Sequence, residues 1–110
     1  MSEDQHVSER QAARRLAALG NQTRLRLYKL LVKAGRFGLN IGDLQQLLDV
    51  PASTMAHHLS ALANADLVKQ RRQGPVVICT ANYETMNSLT KYLTDQCCDG
   101  IQLLVAAESG

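Results

Sequence analysis

The fold of this chain is decided by residues 41–67, which read IGDLQQLLDVPASTMAHHLSALANADL. Apolar residues recur there at helical spacing in two sets, Leu44, Leu47 and Leu48 and then Met55, Leu59 and Leu62. Asp49-Val50-Pro51 separates the sets, because proline lacks a backbone donor and disfavours helix in the residue before it. The pattern predicts two short helices that cross over a small shared core, the helix-turn-helix arrangement.

The outward face of the second helix carries no acidic residue. If its apolar set points inward, the exposed positions are small or hydrogen-bonding: Ser53, Thr54, His57, Ser60, Ala61 and Asn64. Such a face can enter a DNA major groove and present donors and acceptors to base edges. An ordinary helical hairpin with a polar solvent face has the same pattern, so this stretch alone leaves that alternative open.

Length and composition limit the class of protein. With 110 residues the chain predicts one domain, 1–110, with a modest core. No apolar run is long enough to span a bilayer, and the polar, acidic start is unlike a secretory signal. Three cysteines without such a signal predict free thiols in the cytoplasm. The absence of tryptophan and the few other aromatics argue against a single-strand binder that stacks bases.

Positive charge is concentrated near the start of the chain. The net charge is only +2, but residues 10–36 contain eight basic residues and no acidic one. A block of one sign attracts phosphates, although a solvated helix face would look the same. The block lies on two predicted helices, residues 8–20 and 23–34, with Asn21 as a plausible cap of the second and Gly35 as its end.

The periodicity changes after Leu67. Two segments rich in β-branched residues, 68–72 and 76–81, flank the turn signal Gln73-Gly74-Pro75 and predict a β-hairpin. With Lys69, Arg71 and Arg72 near its tip, the hairpin at 68–82 resembles a wing that reaches DNA phosphates or the minor groove. A plain solvated turn is the alternative.

A last helix is predicted at 83–99, followed by an apolar tail at 101–110. Met86, Leu89, Leu93 and Cys97 form a narrow apolar seam. A seam of this kind predicts helix pairing between two subunits, with 8–20 completing the dimer interface.

The segments LGNQTRLRLYKLL and DLQQLLDVPASTMAHHLSALANADLV, followed by the wing, closely resemble the ArsR/SmtB family of bacterial repressors over about residues 10–98. The resemblance implies a mainly α fold with a β-hairpin wing, a homodimeric winged helix-turn-helix. It implies a repressor, not an enzyme, that binds an inverted-repeat operator and leaves it when a metal, metalloid or thiol-reactive signal binds. No cofactor is expected to be permanently bound. The expected DNA contacts are Ser53, Thr54, His57, Ser60, Arg71 and Arg72.

The signal must be inferred from the candidate ligands. The third-helix cysteine site of many relatives is missing, because LNIGDLQQL has neither cysteine nor histidine. The last helix has no histidine, which argues against zinc there. His57 and His58 are expected to diverge by about 100°, with His57 facing DNA and His58 packed at the edge of the core.

The cysteines favour arsenic. Cys97 and Cys98 form a vicinal pair at the end of the last helix, and Cys79 lies on the second wing strand. Soft thiolates bind soft ions, so the pair resembles the branch of the family that senses arsenite or trivalent organoarsenicals, with Cys79 a possible third ligand. Adjacent helical side chains diverge, so the last turn must loosen for both to bind one atom.

Two alternatives to an arsenic site stay open. Cys97 can be a small hydrophobic residue of the dimer seam, with Cys98 incidental. The repressor can instead respond to thiol oxidation or persulfides; a Cys97–Cys98 disulfide would be strained, and a bond with Cys79 would form more easily.

Overall fold

The computed structural model describes residues 7–101. The helices are α1 (Glu9–Leu19), α2 (Gln22–Ala34), α3 (Ile41–Leu48), α4 (Ala52–Asn64) and α5 (Tyr83–Thr94), and the strands are β1 (Leu39–Asn40), β2 (Val68–Gln73) and β3 (Val76–Ala81). Within that range no helix combines the length and the apolar character needed to cross a membrane. The predicted mainly α fold with a helix-turn-helix and a β-hairpin wing is confirmed.

Most of the helices begin at a polar residue that caps them. The caps Ser8, Asn21, Asn40 and Asn82 each accept a hydrogen bond from the backbone three residues later. The predicted cap of α2 is among them, since Asn21 Oδ1 accepts from the Arg24 N–H at 3.0 Å. Helix α4 instead follows Pro51, whose ring fixes φ near its observed −63°.

The turn between α3 and α4 is tight because Asp49 adopts the left-handed conformation, with φ 55° and ψ 50°. Its N–H still bonds to the Gln45 carbonyl oxygen, so this aspartate ends α3 without losing a hydrogen bond. Aspartate tolerates this backbone region better than most side chains do. Only residues 49–51 therefore separate the two helices, which contact each other as a helix-turn-helix.

The main core lies between α2, α3, α4 and one face of the sheet. Leu27 and Leu31 from α2 meet the inward set of α4, which consists of Met55, Leu59 and Leu62, all at most 1% exposed. Helix α3 contributes Leu44, but Leu47 is 58% exposed, so its predicted place in the buried stripe is wrong. At 100° per residue, the face shared by Ile41, Leu44 and Leu48 leaves Leu47 outside it.

The sheet has three antiparallel strands in the order β1-β3-β2. The sequence predicts β2 and β3 and assigns no strand to residues 36–40. Instead a 3₁₀ turn at Gly35–Phe37 leads into β1, where Leu39 pairs with Cys79. A strand of two residues is too short to show an alternation of apolar and polar side chains, so β1 could not be predicted from the sequence pattern.

Helix α5 ends at Thr94, five residues before the predicted end at 99. The Thr94 hydroxyl donates to the Thr90 carbonyl oxygen, a local bond that competes with regular helix. Within one chain the last part of the predicted seam does not pack against other residues, because Leu93 is 53% exposed and Cys97 is exposed as well. The cysteine pair therefore lies in the segment after the helix and not in its last turn.

Helices α1 and α5 pack through a second, smaller cluster. Val7, Ala12 and Leu89 are buried there, and Leu19, Met86 and Tyr92 pack around them. Leu16 on α1 and Leu93 on α5 remain 43% and 53% exposed within one chain. The predicted apolar tail begins at the exposed Ile101, and its remainder, 102–110, lies outside the described residues, as does His6.

Candidate functional site

The outward face of α4 is open. Ser53, His57 and Ser60 are exposed and Thr54 is half-buried, while the opposite side of the helix is fixed in the main core. Helix α4 contains no acidic residue, so nothing on this face repels a phosphate backbone. The arrangement can present hydroxyl and imidazole groups to base edges near the start of the helix.

His57 and His58 have different environments although their ring centroids are 6.0 Å apart. His58 is buried, and its Nδ1 accepts a hydrogen bond from Arg24 Nη1 at 3.3 Å. Burial, together with the charge of Arg24 and the neighbouring His57, lowers the pKa of His58 below its ordinary value. The side chain is therefore a neutral, hydrogen-bonded core residue.

The lowered pKa of His58 makes stability depend on pH. Since the unfolded chain binds the proton more readily, the free energy of unfolding is greatest above the unfolded pKa and falls as the pH drops from about 7 towards 5. We expect His58→Asn, which keeps an acceptor near the Nδ1 position but does not titrate, to flatten this dependence. Urea unfolding of both proteins across that pH range measures it. Equal pH dependence in the two proteins would contradict the assignment.

The wing carries three exposed cations on β2, and they do not share one face. Along the strand, Arg71 pairs with Ile78 and Arg72 with Val77, so their side chains lie on opposite sides of the sheet. Arg71 lines a groove together with Lys69 and Arg36. In the sequence Arg36 belongs only to the basic block of residues 10–36; the fold brings it to the wing because β1 pairs with β3.

Part of the basic block has a structural role. Arg14, Arg15 and Arg24 donate to the backbone carbonyl oxygens of Asn64, Ala65 and Ala18. These three guanidinium groups hold helices together and are less available to phosphates than the sequence implied. The other members are exposed, namely Arg10, Arg26, Lys29, Lys33 and Arg36.

Cys97 and Cys98 are exposed, and their Sγ atoms are 3.1 Å apart. In a regular helix adjacent side chains would diverge, but here Gln96 and Cys98 have φ values of 62° and 70°, which turn the two thiols towards each other. The hydrogen bond between the thiols raises the pKa of Cys97, and slight desolvation adds to the effect. The pair can offer two sulfur ligands to one atom.

Cys79 lies in a different environment. It is fully buried in the main core, where burial raises the pKa of its thiol and a hydrogen bond from Gln70 at 3.9 Å partly opposes the shift. Across residues 7–101, no three or more histidine, cysteine, aspartate or glutamate side chains are grouped so that they could hold a metal ion. The structure thus brings Cys97 and Cys98 together and does not join Cys79 to them within one chain.

Comparison with known proteins adds independent observations. A family profile described as a helix-turn-helix domain matches residues 19–71. A protein of Halobacterium salinarum named as an arsenical resistance operon repressor is 41% identical over 59 residues. That match covers 54% of this chain and 45% of the relative, so the chain spans less than half of the relative's length.

Solved structures are similar over most of the chain. An ArsR-like transcriptional regulator from Rhodococcus sp. RHA1 has a TM-score of 0.73 at 25% identity, covering 90% of this chain and 91% of the other. A homodimeric winged helix-turn-helix domain from Mycobacterium bovis has a TM-score of 0.62 at 24% identity, covering 78% and 80%, and shows the shared fold. The sequence segments and the fold agree: the chain is similar, in sequence and in fold, to the ArsR/SmtB family of winged helix-turn-helix transcriptional regulators, a family of regulators and not of enzymes.

Proposed function

We propose that the protein is a homodimeric repressor that binds double-stranded operator DNA with α4 and the wing. The open face of α4 supports this, because Ser53, Thr54, His57 and Ser60 lie on a helix whose other side is buried. Arg71 and Arg72 on opposite sides of the hairpin can contact phosphates along both of its faces. Base contacts then supply specificity, and the wing cations supply affinity that depends on salt.

The dimer is proposed to form through α1 and α5. Leu16 and Leu93 are about half exposed on these helices, and the structural neighbour from M. bovis is described as homodimeric. A two-fold dimer would place the two copies of α4 about 34 Å apart, one turn of DNA, which matches an inverted-repeat operator.

We further propose that trivalent arsenic is the inducer and that the pair Cys97 and Cys98 binds it. The observation that carries this proposal is the 3.1 Å separation of two exposed sulfur atoms. The function implied by the name of the Halobacterium relative agrees with it. Two thiolates suit an organoarsenical, which keeps one organic substituent, or arsenite that keeps one hydroxyl. Such a repressor would act in the cytoplasm, where thiols stay reduced.

Arsenic would weaken DNA binding by fixing the segment after α5. Binding one atom through both sulfurs restricts residues 95–98, which continue directly from the proposed dimer helix. A shift of α5 changes the relation of the two subunits and so the spacing of their α4 helices. Coupling between an effector and a second site is typically about 1–3 kcal/mol.

The proposal is tested with an inverted-repeat duplex selected by the wild-type protein from a random library. Fluorescence anisotropy follows release of the duplex during parallel titrations with arsenite, methylarsenite, zinc and polysulfide. We expect release by the two arsenic compounds. Release by zinc alone would remove the arsenic proposal, and release by polysulfide alone would favour the thiol-redox alternative.

Substitutions on α4 should reduce the sequence specificity of DNA binding, whereas substitutions on the wing should reduce its affinity for any sequence. We expect Thr54→Ala or His57→Ala to cost about 1–3 kcal/mol on the selected duplex and far less on random DNA, because base readout is lost. Arg72→Gln should weaken binding to the selected duplex and to random DNA alike. The slope of log Kobs against log salt, which is negative, should become less steep by about 1. Anisotropy at several salt concentrations measures both effects.

Lys91→Gln is the matched control for charge, since Lys91 is exposed on α5, which is not among the proposed DNA-contacting elements. It should leave affinity and slope unchanged. Wild-type affinity in both Thr54→Ala and His57→Ala would show that the recognition face is misassigned.

A further inference from the structure

Two adjacent arginines of α1 bind the carboxyl-terminal end of α4. Arg14 Nη2 donates to the Asn64 carbonyl oxygen at 2.9 Å, and Arg15 Nε donates to that of Ala65 at 3.3 Å. Arg15 Nη2 also lies 3.8 Å from the Asp66 carboxylate. These contacts join residues about 50 positions apart in sequence and connect α1, a helix of the proposed dimer interface, to α4.

The last carbonyl groups of a helix have no partner within the helix and carry partial negative charge. Cationic donors from another element therefore satisfy them and fix where the helix ends. The Arg15 side chain is only 11% exposed, so water competes weakly for its bonds. Asp66 then turns the chain at φ 64° into β2. The end of α4 and the start of the wing are thus held at one point on α1.

Helix α1 also supports α5. Ala12 and Val7 are buried against Leu89 of α5, two and seven residues before Arg14. Helix α1 accordingly lies between the helix that precedes the cysteine pair and the helix that carries the proposed recognition face. The two guanidinium groups therefore offer a direct route by which a change in the packing of α5 on α1 can reach α4.

We propose that Arg14 and Arg15 are positioning residues that set the orientation of α4 relative to α1, and hence relative to the dimer interface. They act through helix-end carbonyl groups and do not bind DNA. The consequence for operator affinity rests on the proposed function, whereas the effect on helix orientation does not.

The first test measures orientation without DNA. Spin labels are placed on α1 and α4 by Glu9→Cys and Ser53→Cys, both exposed positions, in a chain whose own cysteines are replaced by Cys79→Ala, Cys97→Ser and Cys98→Ser. We expect Arg14→Gln with Arg15→Gln to broaden the distribution of label distances. Arg10→Gln, an exposed charge on the same helix, is the control and should not broaden it. An unchanged distribution in the double variant overturns the proposal, whatever happens with DNA.

The second test separates positioning from phosphate contact. In the chain with native cysteines, the double variant should bind the selected duplex on the order of tenfold more weakly, since charge-assisted hydrogen bonds that fix the helix are lost. The slope of log Kobs against log salt should stay at the wild-type value. A slope that becomes less steep by about 0.9 for each arginine removed would show that these residues contact phosphates, and would overturn the proposal.

Two further outcomes distinguish the effect of Arg14 and Arg15 on helix orientation from the proposed DNA binding. Arg14→Lys with Arg15→Lys keeps one cationic donor at each position and should restore a narrower distribution than the glutamine pair; failure to do so overturns the assignment to hydrogen bonding. If wild-type protein binds no duplex at all, the proposed function is wrong, and the label distances still decide whether Arg14 and Arg15 position α4.

Discussion

Cys97→Ser protein is expected to bind the operator like wild type and to remain bound when arsenic is added. Loss of one sulfur leaves a single thiolate, which cannot hold arsenic(III) against competing thiols. We expect the arsenic affinity to fall at least about a hundredfold, equivalent to about 2.8 kcal/mol. Anisotropy with the labelled duplex measures release, and titration with methylarsenite measures binding.

The geometry predicts equal effects for the two members of the pair. Their sulfur atoms are 3.1 Å apart and both are exposed, so Cys98→Ser should behave like Cys97→Ser. Because Cys79 is buried in the main core, Cys79→Ala is the matched control and should keep the response to methylarsenite. A wild-type response in Cys97→Ser would eliminate the vicinal pair as the arsenic site. A response to arsenite lost in Cys79→Ala would show that a third thiolate takes part.

Gly38→Ala is expected to give the largest loss of stability among single substitutions considered for this fold. Gly38 has φ 70° and ψ −168°, a region open almost exclusively to glycine. A Cβ there would collide with the Cys79 carbonyl oxygen and lie 2.7 Å from Thr80 Cγ2. Strain and overpacking together should lower the free energy of unfolding by about 2–6 kcal/mol. Urea denaturation measures the change.

The chain offers a matched control for the collision. Gly35 has the same φ of 70° but open space around its Cβ position, so Gly35→Ala carries backbone strain without a clash. We expect Gly35→Ala to cost about 1–3 kcal/mol, less than Gly38→Ala. Equal losses in the two variants would show that the contact with β3 contributes nothing. The close contact between Gly38 and β3 matters for the proposed function, since it fixes β1 against β3, the strand from which the wing extends.

Much of the fold is written in local sequence patterns. The helical spacing of Met55, Leu59 and Leu62, the cap at Asn21 and the turn at 73–75 each depend on residues a few positions apart. Local backbone preferences and amphipathic periodicity decide such features before any long-range contact forms. The vicinal cysteines and the open face of α4 could be located in the same way.

Other features depended on distant partners. Nothing local to Arg14 and Arg15 distinguishes them from solvated cations; their bonds to Asn64 and Ala65 exist because α1 crosses the end of α4. The same holds for β1, which is a strand only because β3 lies beside it. The end of α5 at Thr94, which lets Cys97 and Cys98 face each other, also follows from where packing stops.

The sequence by itself therefore determined the existence and order of the helices, the hairpin and the resemblance to the family, because those follow from the periodicity and chemistry of neighbouring residues. Tertiary structure alone decided which basic side chains hold helices together, which thiols lie next to each other and which glycine has no room for a Cβ atom. Burial and hydrogen bonding between distant segments are set by the packing of whole helices against each other.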